Sequence, residues 1–249
     1  MTGTPGYAAR ARHYAAEISE VPQPESLAEL LRPGLRVAEM PSGTGHFLAV
    51  YTAAGAEVVL IDACSTMLEA ARHQAGRLGA QPRLLCSPIQ DLTAQAGPFD
   101  LIVMPNAALN QLTADTAAAD LLTAAAQPLE PGGLLLAQVL DPAKDRACGF
   151  YNPGVSDGVW HVDREFTDEA GQRLTRHRRQ RCHHGLVGID FELRSRSEIR
   201  YHHHVTLRLS TAGDLQAALT IAGFTSVTSR PGTGGLIELL AIRSPRSPR

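Results

Sequence analysis

Glu39, Gly43, Gly45 and Asp62 are the residues whose types and spacing most directly imply chemistry. They lie in one stretch, Arg36 to Arg72, RVAEMPSGTGHFLAVYTAAGAEVVLIDACSTMLEAAR. It reads as strand, glycine turn, helix, strand and a closing acid. Val37 to Met40 is a short apolar run, His46 to Ala53 has helix length, and Val58 to Ile61 is a second buried strand ending at Asp62. Glycines in the turn let backbone come close to a ligand. A turn feeding a helix N-terminus offers free N–H groups, and an acid at the end of the next strand suits a ribose diol. Asp62 follows Gly45 by seventeen positions, near the offset of about 20 residues expected of a ribose-binding acid. Phe47 and Leu48 follow the turn where a dinucleotide fingerprint would place its third glycine, so that fingerprint is not met.

EMPSGTG followed by LIDACSTMLEAAR resembles motif I and the acidic loop of class I S-adenosylmethionine-dependent methyltransferases. The resemblance implies a Rossmann-like α/β sheet with a terminal antiparallel hairpin, and S-adenosyl-L-methionine as cofactor. Glu39 stands at the acid of the motif and would hold the methionine ammonium. The Ser42–Gly45 backbone would take the methionine part, Asp62 the ribose hydroxyls, and Met67 would pack on adenine. Met40, Pro41, Ala63 and Met104 complete the implied cofactor surround. Pro41 departs from the family glycine and has no N–H to donate. The segment CSPIQDL resembles the adenine loop with Pro88 at the usual aspartate, leaving the backbone of Ile89 and Gln90 as substitutes.

The elements that must position these residues follow in order. FDLIVMPNAALNQL (Phe99 to Leu112) is a buried strand running into a small-residue loop and resembles the fourth-strand motif. LEPGGLLLAQVL (Leu129 to Leu140) is a helix stop, a Gly-Gly turn and an apolar strand of the kind covered on both faces. GFTSVTSRPGTGGLIELLAIR (Gly223 to Arg243) reads as the terminal hairpin. Thr66 and Glu69 have the spacing of a capping box opening the helix after Asp62, and Asp115 to Gln127 reads as another helix. Tyr7, Ala11, Tyr14 and Ile18 have helical spacing before Pro22 and Pro24, and Ser26 to Leu31 is a second short helix.

Between Asp141 and Leu209 the period changes to alternation. Gly158 to Phe166, Arg173 to Cys182, Leu186 to Leu193 and Glu198 to Leu209 read as four antiparallel strands. The expected organisation is one methyltransferase domain over 1–249. It divides into a helical cap (1–34), a cofactor core (35–142 and 210–243), a β insertion (145–209) and a disordered tail (244–249). Such an insertion resembles those of natural-product methyltransferases, where it covers the pocket or makes a subunit interface, which implies a homo-oligomer.

The acceptor side is written in fewer residues. In the amino-sugar N-methyltransferases that the chain resembles, the loop after the fourth strand ends in His-Leu; here it ends in Gln111-Leu112, and glutamine cannot take a proton. Tyr7 and Tyr14 on the cap helix are the first acceptor-side candidates, with Trp160 and His161 behind them. Missing bases favour nitrogen over oxygen as the methylated atom. A non-methylating cyclase-type enzyme and a cofactor-binding non-enzymatic module on the same fold are the alternatives.

Charge and composition narrow the partners to a small-molecule acceptor. A formal net charge of −2 over 249 residues gives no global reason for nucleic acid or a membrane surface. RLTRHRRQRC carries five arginines, with Asp163, Glu165, Asp190 and Glu192 on neighbouring strands, so cross-strand ion pairs on a solvated face account for it. His202 and His204 can share one strand face while His203 takes the other; no metal is expected. The four cysteines show no C-x-x-C spacing. With no signal pattern or spanning stretch, the expected location is cytoplasmic.

Overall fold

The computed structural model describes residues 5–17, 21–140, 156–168, 170–196 and 198–245, the side chains of residues 5–8, 12 and 15 excepted. Of the expected tail at 244–249, Ser244 is described and its N–H donates to the Gly223 carbonyl at 2.9 Å, whereas 246–249 and the segment 141–155 lie outside the described residues. In chain order the strands are β1 (Arg36–Glu39), β2 (Glu57–Asp62), β3 (Arg83–Cys86), β4 (Phe99–Met104), β5 (Leu129–Leu140), β6 (His161–Thr167), β7 (Arg173–His183), β8 (Leu186–Ser195), β9 (Glu198–Arg208), β10 (Phe224–Pro231) and β11 (Leu236–Arg243). The α-helices are α1 (Pro5–Glu17), α2 (Glu25–Leu30), α3 (Leu48–Ala53), α4 (Ser65–Leu78), α5 (Ala108–Leu112), α6 (Ala118–Ala126) and α7 (Ala212–Ile221).

A seven-stranded sheet runs β10-β11-β5-β4-β1-β2-β3. Its pairs from β3 to β5 are parallel, and β11 is antiparallel to both β5 and β10. The chain leaves β1 toward β3 and then returns to lay β4 on the other side of β1. That reversal opens a crevice at the carboxyl ends of β1 and β4, where ligands bind in open α/β sheets. Glu39 and Asp62 are the last residues of β1 and β2, so the topology delivers both acids to that crevice.

The central strands are apolar because helices cover both faces. Leu101, Ile102 and Val103 of β4 are fully buried, and each such side chain stabilises the fold by roughly 1.5–3 kcal/mol relative to exposure. Helix α4 packs Met67, Leu68, Ala71 and Ala75 inward and ends at Gly79, whose φ of 63° suits the left-handed cap. The expected Thr66–Glu69 capping box is not formed. The helix opens at Cys64 without a side-chain cap, and the Cys64 N–H donates instead to Asp62. A capping box does form at α7, between Thr211 and Asp214.

The insertion is a separate antiparallel sheet, β6-β7-β8-β9. Burial alternates along β7, β8 and β9, so one face turns inward with Leu174, Val187, Ile189, Leu193 and Leu207, joined by Ala107, Leu140 and Leu236 of the core. Asn110 of α5 stitches the two sheets. It donates to the Arg208 carbonyl at 2.8 Å and accepts from the Leu140 N–H at 2.9 Å. The arginine-rich strand needs correction. Arg173 and Arg179 pair outward with Glu165 and Asp190, but Arg176 and Arg178 are buried on the inward face rather than solvated. His202 and His204 are on the outer face and His203 is buried on the inner one, as strand alternation requires.

Candidate active site

The turn after β1 is short and heavily hydrogen-bonded. Ser42 N–H donates to the Ile61 carbonyl, Gly43 N–H to Asp62, Gly45 N–H to the Ser42 carbonyl and Leu48 N–H to the Gly45 carbonyl. The free N–H groups expected of this turn are therefore mostly engaged, and the following helix is only six residues, Leu48–Ala53, shorter than the expected 46–53. Gly43 and Gly45 serve different ends. Gly43 has φ 53° and lies on the wall of a cavity, where an added Cβ would sit 3.7 Å from the Tyr14 ring. Gly45 has φ 77° and faces the interior, where an added Cβ would come within 3.2 Å of Leu60. One glycine gives access and the other gives close packing.

The cavity has a volume of about 460 Å³, within the range of small-molecule sites. Glu39, Pro41, Ser42 and Gly43 form its floor from the β1 side; the Met40–Pro41 peptide is cis. Asp62, Ala63 and Met67 line it from β2 and α4, and Ile89 and Gln90 from the short turn after β3. Gln111 on α5 and Tyr14 on α1 face the same space. Met40 and Met104 do not line it. Both are fully buried in the core cluster beneath the sheet crevice, their side chains directed away from the wall by strand alternation. His161 opens β6 opposite Arg178, away from the cavity wall. Tyr7 belongs to α1, but its side chain lies outside the described residues.

Two buried polar atoms of the floor, Glu39 Oε2 and Ser42 Oγ, have no hydrogen-bond partner among the described residues. Burial pushes the Glu39 carboxyl up to about 8; the Tyr51 hydroxyl acts against that shift without completing a hydrogen bond, and Asp62 adds to it. A buried acid without a partner is costly, and a ligand ammonium would remove the cost. Asp62 accepts from Gly43 N–H and Cys64 N–H, each at 2.8 Å, one on each carboxylate oxygen. Burial raises its pKa and these two donors oppose the rise. Each oxygen keeps a second lone pair for a hydroxyl donor. The donor and acceptor set therefore fits S-adenosylmethionine: an acid for the ammonium, an acid for the ribose diol, and apolar Met67 and Ile89 for a flat base.

Several wall residues escaped the sequence reading. His46 lines the cavity, with Nε2 3.3 Å from Thr44 Oγ1 and its ring 5.5 Å from that of Tyr14. Burial lowers its pKa to about 4, so the imidazole is neutral near pH 7. Arg10, Arg164, Arg176 and Phe191 come from α1 and the inserted sheet. Arg10 precedes Tyr14 by one helical turn, a spacing visible in the sequence. Nothing in the sequence brings β6, β7 and β8 to that helix. Asn106 also lines the cavity, and with Ala107 it adopts positive φ, 55° and 56°. Two successive non-glycine residues in that region cost on the order of 1–3 kcal/mol each. Gln138 holds them there, its side chain accepting from Asn106 N–H at 3.0 Å and its carbonyl from Ala107 N–H at 3.1 Å.

Comparison with known proteins agrees with this geometry. A family model described as a methyltransferase domain matches residues 37–133. A protein-L-isoaspartate O-methyltransferase of Methylorubrum populi is 38% identical over 80 residues, which span 32% of this chain and 37% of that relative. A sugar N-methyltransferase from a Streptoalloteichus species superposes with a TM-score of 0.68 at 20% identity, covering 96% of this chain and 91% of its own. An S-adenosylmethionine-bound amino pentose methyltransferase from Micromonospora echinaspora gives 0.61 at 21% identity, covering 85% and 84%. At these identities the structural likeness shows the fold. Sheet order, crevice and acid pair agree with the family match: residues 37–133 match a methyltransferase domain, and the chain shares the fold of these methyltransferase structures.

Proposed function

We propose that the protein methylates a nitrogen, in preference to an oxygen, of a small metabolite, in the manner of natural-product biosynthesis. The observation that carries this reading is the Glu39 carboxyl, buried in the floor of the cavity with Asp62 and with Oε2 lacking a hydrogen-bond partner among the described residues. It asks for a cation where the methionine end of the cofactor belongs. S-adenosylmethionine supplies a sulfonium-bound methyl group that is already electrophilic, so the protein's task is alignment and exclusion of water.

Glu39 and Asp62 hold opposite ends of the cofactor's polar edge, with the tight turn between them. Tyr14 and Gln111 stand at the acceptor side of the same space. The one histidine of the cavity wall among the described residues is His46, and burial makes it a weak base at about 4. An alcohol acceptor needs a base in the transition state; an amine needs only a neutral fraction, which solvent can supply. That contrast supports nitrogen. The sugar N-methyltransferase neighbour is consistent with the same choice.

Incubation with methyl-labelled cofactor and a panel of primary and secondary amines, alcohols and phenols, scored by mass spectrometry, tests the proposal. Label in an amine is expected. Label confined to alcohols would overturn the choice of nitrogen, and cofactor binding without any transfer would favour a non-methylating role. Assembly through the inserted sheet is a further part of the proposal, supported by Val162 and Ile199, both about half exposed on its edge strands. Sedimentation of the wild type against Val162→Lys and Ile199→Lys variants checks it. No helix among the described residues is long and apolar enough to cross a membrane.

A further inference from the structure

We propose that the cavity wall built by α1 and the inserted sheet is a subsite for an anionic group of the acceptor, a carboxylate or a phosphate, with Arg164 as its principal ligand. The occupant's description as an acceptor rests on the methyl-transfer reading; the anion site itself rests on charge and geometry.

Three guanidiniums line this wall, Arg10, Arg164 and Arg176. Two carboxylates answer them. Glu17, fully buried, takes Arg10 at 2.6 Å and also Arg176. Asp163 takes Arg176 in a two-pronged contact at 2.8 and 2.9 Å. Arg164 is left with the Glu17 main-chain carbonyl, 2.6 Å from Nη1, and with no carboxylate in ion-pair range among the described residues. Among the described residues, then, Arg164 has no carboxylate to balance its charge. A half-buried cation in an enclosed space is stabilised by an anion that enters it, and the planar guanidinium fork matches carboxylate and phosphate oxygens.

Arg10 and Arg176 reinforce the site without being consumed by it. Their charged groups stand 5.2 and 4.8 Å from the Phe191 ring centroid, so the ring fixes both of them beside the cavity. The same cavity carries the acids Glu39 and Asp62 at the ends of β1 and β2, beside the glycine turn. The cavity is thus polarised, acidic toward the glycine turn and cationic toward the inserted sheet. An acceptor with an anion at one end is oriented by that field, its anion on the arginines and its nucleophile turned toward the turn. A purely cationic amine is turned away from the same wall.

The test uses the full chain saturated with S-adenosylhomocysteine and titrated by calorimetry with benzoate, phenyl phosphate and, as the neutral isostere, benzamide. Either anion should bind more tightly than benzamide. Arg164→Gln should weaken the anion by about tenfold or more, and Arg164→Lys should recover part of the loss. Tighter benzoate assigns a carboxylate and tighter phenyl phosphate a phosphate ester. If neither anion outbinds benzamide, or Arg164→Gln leaves anion affinity unchanged, the proposal is overturned. S-adenosylhomocysteine affinity is read on every variant. If the wild type fails to bind it, the methyl-transfer reading falls, and the same anion titrations on the cofactor-free chain still decide the subsite. Should Arg164→Gln misfold, the wild-type contrast between anions and benzamide decides it.

Discussion

The Gly43 N–H donates to Asp62 Oδ2 at 2.8 Å, joining the turn after β1 to the end of β2. The acid that would hold the ribose is thus also the brace that shapes the turn beneath the methionine end. Asp62→Ala should then lower both cofactor affinity and fold stability. We expect a loss of roughly 10- to 100-fold in S-adenosylhomocysteine affinity by calorimetry, from the removed acceptor. Thermal unfolding should show a further loss of about 1–3 kcal/mol from the buried Cys64 N–H and the partly buried Gly43 N–H left unpaired. Asp62→Asn keeps one acceptor oxygen and should fall between. An Ala variant that unfolds like wild type would separate the brace from the ribose ligand.

Glu39 predicts a proton balance. Its carboxyl, pushed up to about 8 by burial, is mostly protonated at pH 7 in the ligand-free protein. Pairing with a ligand ammonium ionises it, so cofactor binding at pH 7 should release about one proton. Calorimetry in buffers of different ionisation enthalpy measures this directly, and Glu39→Gln should abolish the buffer dependence. The sign for stability runs the same way. A raised carboxyl pKa favours the fold below the ordinary value near 4.5, and that advantage is lost as pH rises through about 8. Ligand-free wild type should therefore lose stability relative to Glu39→Gln across that window, by on the order of 4 kcal/mol. A flat difference between the two proteins would mean Glu39 has a partner in solution.

The cofactor half was legible because its determinants are local. A glycine turn between two apolar runs, an acid at each strand end and the Met67 helix lie within forty residues, and parallel-sheet topology brings the strand ends together without further information. The misreadings there have local causes. Thr66 and Glu69 have capping-box spacing, but Asp62 reaches the Cys64 N–H first. Met104 sits at a strand end where alternation turns it into the core. The acceptor half depends on long-range placement. Arg176 and Arg178 read as solvated because β7 alternates polar residues on both faces, and only the docking of α1 onto the inserted sheet makes that face interior. His46 was hidden for another reason: directly after Gly45 it reads as the first residue of a helix, whereas that helix begins two residues later.

Glu17 holds the cap helix to the inserted sheet. Burial pushes its carboxyl up, but Arg10, Arg176 and the Tyr201 hydroxyl outweigh that and bring it down to about 2. A depressed carboxyl pKa stabilises the fold above about 4.5, and the contribution disappears as pH falls toward 2. Glu17→Gln leaves two buried guanidiniums without their shared anion and should cost about 3–5 kcal/mol in urea unfolding at pH 7. The gap between variant and wild type should narrow on acidification toward pH 2. A gap that does not change with pH would assign the loss to packing.

Tyr14 stands where the cap meets the turn. Its ring lies under the Arg10 guanidinium at 4.9 Å and 5.5 Å from the His46 ring, and it is the group an added Cβ on Gly43 would touch. The ring and the hydroxyl can be separated by substitution. Tyr14→Phe keeps every ring contact, so S-adenosylhomocysteine affinity should stay within a factor of about three, below 1 kcal/mol. If the hydroxyl positions the acceptor, turnover should fall several-fold, about 1 kcal/mol in the barrier. A true base in that position would cost about 100-fold or more. Tyr14→Ala removes the ring from above the turn and should weaken the cofactor as well, because the wall opens to water. Full turnover by Tyr14→Phe, together with weakened cofactor binding by Tyr14→Ala, would make Tyr14 a packing residue of the lid. In that case the nucleophile is deprotonated by solvent before it enters, and the rate should follow the amine's own titration rather than that of any side chain.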